Sequence, residues 1–127
     1  MEPTPLWHVL VMDWSTVENT PPAARRPLEM QRWHFRVERL ANLVDRPAPE
    51  LAAELKEAAR HEALRQRREM EAELAEDLAV VRAQGKPVGP PWQRRLAVLA
   101  QVCCEPIEVV EARVSAAAGT IRVVEVC

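Results

Sequence analysis

Residues 50–84 read ELAAELKEAARHEALRQRREMEAELAEDLAVVRAQ, and this stretch decides how the rest of the chain is organised. Almost all of its residues are Ala, Leu, Glu, Arg, Gln, Lys or Met, the strongest helix formers, and neither Gly nor Pro interrupts it. Pro47 and Pro49 stand at its entrance. Gly85 and Pro87 follow it, as a left-handed cap and a helix stop would. The stretch therefore predicts one charged helix about 50 Å long.

The apolar stripe of this long helix is interrupted in its middle. Its members are Leu51, Leu55, Ala59, Ala63, Met70, Leu74, Leu78 and Val81. Between Arg60 and Arg68 the stripe thins to alanine and charge, so the a/d pattern is too broken for a long dedicated coiled coil. The pattern favours two packed ends separated by a solvated middle, and a coiled-coil surface for a partner is the alternative.

Two further helices flank the long one. Residues 28–45 carry a narrow apolar stripe at spacings of three and four, formed by Met30, Trp33, Val37, Leu40 and Val44. The short link to residue 50 predicts that this helix folds back on the long helix, so that residues 28–84 form a helical hairpin. Residues 91–104 predict a third helix, which Pro106 stops.

The two ends of the chain read as β-structure. Residues 6–14, LWHVLVMDW, are apolar on both faces of a period-2 pattern and predict a strand within the segment 1–14. Residues 107–114, IEVVEARV, and 121–126, IRVVEV, share an I-x-V-V-E core. With Gly119 in the loop between them, they predict a β-hairpin over residues 107–126.

These elements predict an α+β fold in the order β-α-α-α-β-β. The architecture expected is a helical hairpin with one long charged helix plus a small antiparallel sheet, made of the N-terminal strand and the C-terminal β-hairpin. The length of 127 residues fits a single domain, 1–127. A helix too long for a compact monomer and a hairpin with open edges both indicate assembly.

Composition limits the environment of the protein. No stretch of about 18 apolar residues suggests a transmembrane helix, and the N-terminal residues show no secretory pattern. Three cysteines without a signal indicate free thiols in a reducing compartment. We therefore expect a cytoplasmic or otherwise intracellular protein, or a virion component.

Few residues suggest catalysis or a cofactor. Only three glycines occur, so the chain has no Gly-rich nucleotide-binding loop, and Asp13 and Ser15 lack a neighbouring base. We expect neither an enzyme nor a cofactor. A thiol-redox or zinc site at Cys103, Cys104 and Cys127, with His8 or His34 brought in, is an alternative, although adjacent cysteines do not easily bind one tetrahedral ion.

Arginines offer a second alternative. Arg60, Arg65, Arg67 and Arg68, called here the middle arginines, lie in the charged centre of the long helix. They would carry a nucleic-acid-associated regulatory function. The formal net charge of −2 nevertheless predicts no general affinity for nucleic acid, and the four tryptophans are expected in the core.

The function expected from the sequence is a non-enzymatic structural or assembly subunit that forms a homo-oligomer or docks a protein partner in a larger complex. Bacteriophage virion or tail proteins combine similar elements, which is an analogy at the level of fold alone. No membrane and no small-molecule substrate are expected. The predicted contact residues are Leu74, Leu78 and Val81 on the long helix and Val110, Ile121 and Val123 on the hairpin.

Overall fold

The computed structural model describes residues 5–122, and every regular element among them is helical. The elements are α1 (Pro5–Glu18), a short 3₁₀ turn (Pro22–Ala24), α2 (Pro27–Val44), α3 (Ala48–Ala83), α4 (Pro90–Cys103) and α5 (Ile107–Gly119). The chain divides into two compact units, Met1–Arg65 and Gln66–Cys127, and α3 supplies residues to both. Compact units can still unfold as one cooperative domain, so the single-domain prediction stays a prediction.

Unit 1 is built from α1, α2 and the first half of α3. Its core consists of Leu10, Trp14, Trp33, Val37, Leu40, Ala41, Leu51, Leu55 and Ala59. Leu10 and Leu55 are fully buried. The Trp33 indole Nε1–H donates a hydrogen bond to the Leu10 carbonyl oxygen at 2.8 Å, which fixes the packing of α2 on α1.

Unit 2 is built from the second half of α3 with α4 and α5. Its core consists of Leu74, Ala75, Leu78, Ala79, Leu96, Leu99, Ala100, Val110, Val114 and Ala118. A tryptophan again joins two helices, because the Trp92 indole Nε1–H donates to the Leu74 carbonyl oxygen at 2.9 Å. The two halves of the α3 stripe thus pack in separate cores, which confirms the prediction of two packed ends.

The predicted α+β fold is wrong, and the N-terminal strand is the first reason. Residues 6–14 lie in α1, where Leu10 and Trp14 are buried one turn apart and Leu6 and Val17 pack beside them. An apolar run on every face fits a buried strand and a helix equally well, and periodicity alone does not separate the two. The segment 15–27 that follows contributes the end of α1 and the 3₁₀ turn.

The predicted β-hairpin over residues 107–126 is also wrong. Residues 107–119 form α5, whose buried face is Val110, Val114 and Ala118 at spacings of four. Four alanines in this segment favour a helix, and packing on unit 2 outweighs the β-preference of its valines. Residues 123–126 of the predicted second strand, 121–126, lie outside the described residues.

The three predicted helices are confirmed as α2, α3 and α4, and so is the left-handed cap at Gly85. Gly85 has φ 69°, and the amide N–H groups of Gly85 and Lys86 donate to the carbonyls of Arg82 and Val81. This is the Schellman arrangement, in which a left-handed residue closes the last turn of a helix.

Candidate functional site

The outward face of α2 carries a line of exposed apolar and arginine side chains. We call its five residues the α2 outer stripe: Leu28, Arg32, Phe35, Arg39 and Leu43. The three apolar side chains are 58%, 56% and 77% exposed, respectively. Each apolar residue is separated from the next by an arginine, so the stripe is both apolar and cationic.

This surface follows from helix geometry. The core face of α2 holds Trp33, Val37 and Leu40, and the outer stripe lies on the opposite side, at spacings of four, three, four and four. Arg32 and Arg39 are exposed, and their side chains have no hydrogen bond or ion pair with any residue from 5 to 122. The stripe therefore offers two uncompensated guanidinium groups among three exposed apolar side chains.

A groove of about 510 Å³ lies beside this stripe, between α1, the 3₁₀ turn and α2. Four arginines line it: Arg25, Arg26, Arg32 and Arg36. Arg36 Nη1 lies 2.6 Å from Asp13 Oδ2, and Arg25 Nε donates to the Thr20 carbonyl oxygen at 3.0 Å. Arg26 Nη1 lies 3.6 Å from Glu29 Oε1, so three of the four arginine side chains have a partner. The four arginines outnumber the carboxylates of Asp13 and Glu29 that also line the groove, which leaves an excess of positive charge suited to an anionic group.

A second groove of about 550 Å³ lies between α2 and α3 of unit 1. Its walls include Val37, Ala48 and Ala52, and His34, Lys56 and Arg60 supply polar groups. Lys56 Nζ lies 4.6 Å from the ring centroid of Trp14, a cation–π contact. This lysine is thereby directed onto the aromatic cluster of the core, and its role is accounted for by packing.

Unit 2 presents an acidic surface on the same long helix. We call Glu69, Glu73, Glu76 and Val80 the α3 acidic stripe; all four residues are exposed. The Glu73 carboxylate lies 3.5 Å from Arg95, whereas the side chain of Glu76 has no hydrogen bond or ion pair with any residue from 5 to 122. The second half of α3 thus displays three carboxylates and one exposed valine.

The predicted contact residues lie mainly in the core of unit 2. Leu74 and Val110 are fully buried, Leu78 is buried, and Val81 and Ile121 are half-buried. Val123 lies outside the described residues. The structure brings Leu74, Leu78 and Val110 into one cluster, with Ile121 packed against it. Their apolar surface is occupied by intrachain packing, and their role toward a partner stays a prediction.

The middle arginines are largely occupied by nearby groups. Arg60 lies 3.0 Å from Glu57 and 3.8 Å from Glu18, and Arg65 pairs with Glu62. Arg67 is half-buried in unit 2, whereas Arg68 is exposed and unpaired within residues 5–122. Carboxylates therefore neutralise much of the charge that the nucleic-acid hypothesis assigns to this segment.

The cysteines of α4 lie in different environments. Cys103 is half-buried, and burial raises the pKa of its thiol, which Arg67 partly offsets. Cys104 is exposed at the end of the helix, and Cys127 lies outside the described residues. Within residues 5–122 no three His, Cys, Asp or Glu side chains lie close enough together to hold a metal ion.

Sequence reasoning missed the α2 outer stripe, although its spacing is visible in the sequence. The inner stripe of the same helix was used to predict the fold, and Leu28, Phe35 and Leu43 on the other face were left aside. Three apolar residues on the polar side of an amphipathic helix are the signal that could have found it.

Comparison with known proteins identifies no related family, curated protein or solved structure. No protein-family profile matches the chain significantly, and neither a curated protein nor a solved structure does so. In the part of the chain that the structure describes, no helix combines the length and apolar character needed to cross a membrane. Functional inference therefore rests on the surfaces described above.

Proposed function

We propose that the protein is a non-enzymatic assembly subunit, which oligomerises or docks a protein partner in a larger complex. The observation that supports this most strongly is the α2 outer stripe, where Leu28, Phe35 and Leu43 lie exposed on one helix face. Single exposed apolar residues are ordinary, but three of them aligned with arginines have the composition of an interface centre.

Burial of the exposed apolar side chains would contribute favourable free energy to binding. Complete burial of an exposed Leu or Phe side chain contributes about 1.5–3 kcal/mol, and aromatic and arginine side chains dominate the binding energy of many interfaces. Val9 and Met12, on the outward side of α1, are a further pair of half-exposed apolar residues in unit 1. A partner that covers both the α2 outer stripe and this pair on α1 would bury more apolar surface, and so bind more tightly, than one that covers the stripe alone.

Light scattering of the purified chain across a dilution series tests this proposal. We expect a defined oligomer at high concentration that dissociates on dilution, and a Phe35→Asp/Leu43→Asp variant that stays monomeric at the same concentrations. Val98→Asp is the matched control, because Val98 is 46% exposed on α4 of unit 2. A wild-type chain that stays monomeric and co-purifies with no stoichiometric protein would contradict the proposal.

Nucleic-acid binding is the second candidate, and the groove lined by four arginines favours it. A guanidinium cluster beside an exposed aromatic residue such as Phe35 is a usual feature of nucleic-acid surfaces. Binding of a labelled oligonucleotide should then fall steeply with salt. Arg25→Glu/Arg26→Glu should abolish it. An Arg65→Glu/Arg67→Glu/Arg68→Glu variant that binds like wild type would exclude the middle arginines as the site.

A further inference from the structure

We propose that the occupant of the α2 outer stripe is a second copy of this chain, which presents its α3 acidic stripe. The inference rests on the proposed assembly function and adds the identity of the partner surface. Both stripes are exposed, and one carries two arginines where the other carries three glutamates. The chain therefore carries two exposed helical faces of opposite charge, which can attract each other between copies.

Four of the five residues of the α2 outer stripe match the α3 acidic stripe in spacing, and Leu43 lies beyond the matched positions. Positions 28, 32, 35 and 39 advance by four, three and four, and positions 80, 76, 73 and 69 retreat by the same steps. Two helices whose contact residues follow this 3–4 pattern pack side by side with a crossing angle of about 20°. The two faces therefore fit an antiparallel helix pair formed between copies.

Antiparallel pairing also places compatible chemistry at each level. Leu28 meets Val80, Arg32 meets Glu76, and Arg39 meets Glu69. Phe35 lies against the methylene groups of Glu73, beyond which the carboxylate stays in water. Parallel pairing of the same stripes would oppose Leu28 to Glu69 and Arg39 to Val80. The sequence of charges thus selects one orientation.

The same charges disfavour other pairings of these faces. Two α2 outer stripes would bring arginines together, and two α3 acidic stripes would bring glutamates together, which repel. The side chains of Arg32, Arg39 and Glu76 have no hydrogen-bond or ion-pair partner among residues 5–122, so these groups lose no existing contact on association. For these three groups the cost of association is partial desolvation and side-chain ordering, whereas Glu69 and Glu73 already have interactions within their own copy.

Complementary charge reversal tests the pairing directly. One variant carries Arg32→Glu/Arg39→Glu, and the other carries Glu69→Arg/Glu76→Arg. Each variant alone opposes like charges at both levels, so we expect its self-association constant to fall by at least roughly tenfold. An equimolar mixture restores opposite charges across every contact. It should form a mixed oligomer of wild-type mass by light scattering at low salt.

Arg94→Glu/Glu108→Arg is the matched control, because both residues are exposed on unit 2 and have no ion pair within residues 5–122. It should associate like wild type, and circular dichroism should show wild-type helix content for every variant. If wild type associates but neither reversal weakens it, or the mixture fails to assemble, the pairing is wrong while the assembly function stands.

A wild-type chain that stays monomeric overturns both the pairing and the self-assembly on which it rests. If the monomer instead binds a labelled oligonucleotide or a different protein, and Arg32→Glu/Arg39→Glu abolishes that binding, the α2 outer stripe belongs to that ligand and the second copy is excluded.

Discussion

Within residues 5–122, residues in the left-handed conformation close three helices, and one of these residues is a glycine. Asp45, Gly85 and Cys104 have φ values of 52°, 69° and 54° at the ends of α2, α3 and α4. In each case the following residue donates its N–H five positions back, to Ala41, Val81 and Ala100, respectively. A side chain with a Cβ pays a conformational cost of about 1–2 kcal/mol in this region, whereas glycine does not.

Replacing Cys104 by glycine should therefore stabilise unit 2. We expect Cys104→Gly to raise the free energy of unfolding by about 1 kcal/mol, because the exposed thiol contributes little packing and the left-handed strain is removed. Chemical denaturation under reducing conditions measures this change. Cys104→Ala is the control, since it removes sulfur but keeps the Cβ. An equal gain in both variants would assign the effect to the thiol.

Arg113 links α5 to its surroundings in unit 2. Its guanidinium pairs with Glu71 and makes two 3.0 Å hydrogen bonds to the Glu105 carboxylate. These hydrogen bonds raise the pKa of Arg113 and lower the pKa of Glu105 below its ordinary 4.5. A carboxyl with a lowered folded-state pKa stabilises the fold above its unfolded pKa, and this stabilisation is lost as pH falls through the folded pKa.

Glu105→Gln should consequently reduce stability at pH 7, and the difference from wild type should shrink below the unfolded-state pKa of Glu105. Urea unfolding at a series of pH values measures the difference. Glu111→Gln serves as the control, because Glu111 has no ion pair among the described residues. A difference that stays constant with pH would show that the Arg113 pair does not couple to protonation.

At the scale of elements, α5 is the clearest conflict between local preference and packing. The segment is rich in valine, a β-former, yet Val110 and Val114 fall one turn apart against α3 and α4, and Val109 lies 47% exposed. A helix buries the side chains on one face of each successive turn of such a sequence, whereas a strand would bury alternate residues. Adjacent valines must therefore differ sharply in their contribution to stability.

Alanine substitution separates the two valines. Val110→Ala should cost about 1–3 kcal/mol, because it removes fully buried methyl groups from the unit 2 core. Val109→Ala should be neutral or stabilising by a few tenths of a kcal/mol, since alanine is the better helix former. Thermal unfolding measures both changes. An equal loss of stability at the two positions would argue against a helical α5.

Helix identity was predictable wherever pattern and composition agreed. In α2, α3 and α4 the apolar residues recur at helical spacing, and proline and glycine mark boundaries, so these elements were expected within a few residues. In α1 the apolar residues fill both faces, and in α5 valine favours a strand. In α1 the apolar pattern fitted a strand as well as a helix, and in α5 the β-propensity of valine predicted the wrong structure.

At the scale of the molecule, each half of α3 belongs to a different core. Leu55 is fully buried with α1 and α2, and Leu74 is fully buried with α4 and α5. Each core therefore contains its own fully buried leucine from α3. Replacing a buried leucine by alanine lowers the free energy of unfolding by about 2–5 kcal/mol, depending on how far the surrounding residues close the cavity.

Leu55→Ala should lower amide-exchange protection mainly in α1 and α2, and Leu74→Ala mainly in α4 and α5. Hydrogen exchange followed by mass spectrometry of peptides reports each helix separately. Leu64→Ala is the control, because Leu64 is 43% exposed. If either core substitution reduced protection equally throughout residues 5–122, the chain would unfold as one cooperative domain, as its length predicted.

The long helix, its two flanking helices and the break in its apolar stripe were predictable from the sequence, because they depend on local helix preference and on a spacing visible in the chain. The helical conformation of α1 and α5 depends on tertiary packing. Their side chains are apolar enough for either conformation, and burial against α2 and α4 selects the helix. Tertiary structure also decided which surfaces remain available. Leu74 and Val110 became core, and Leu28, Phe35 and Leu43 stayed exposed, because α2 buries its other face.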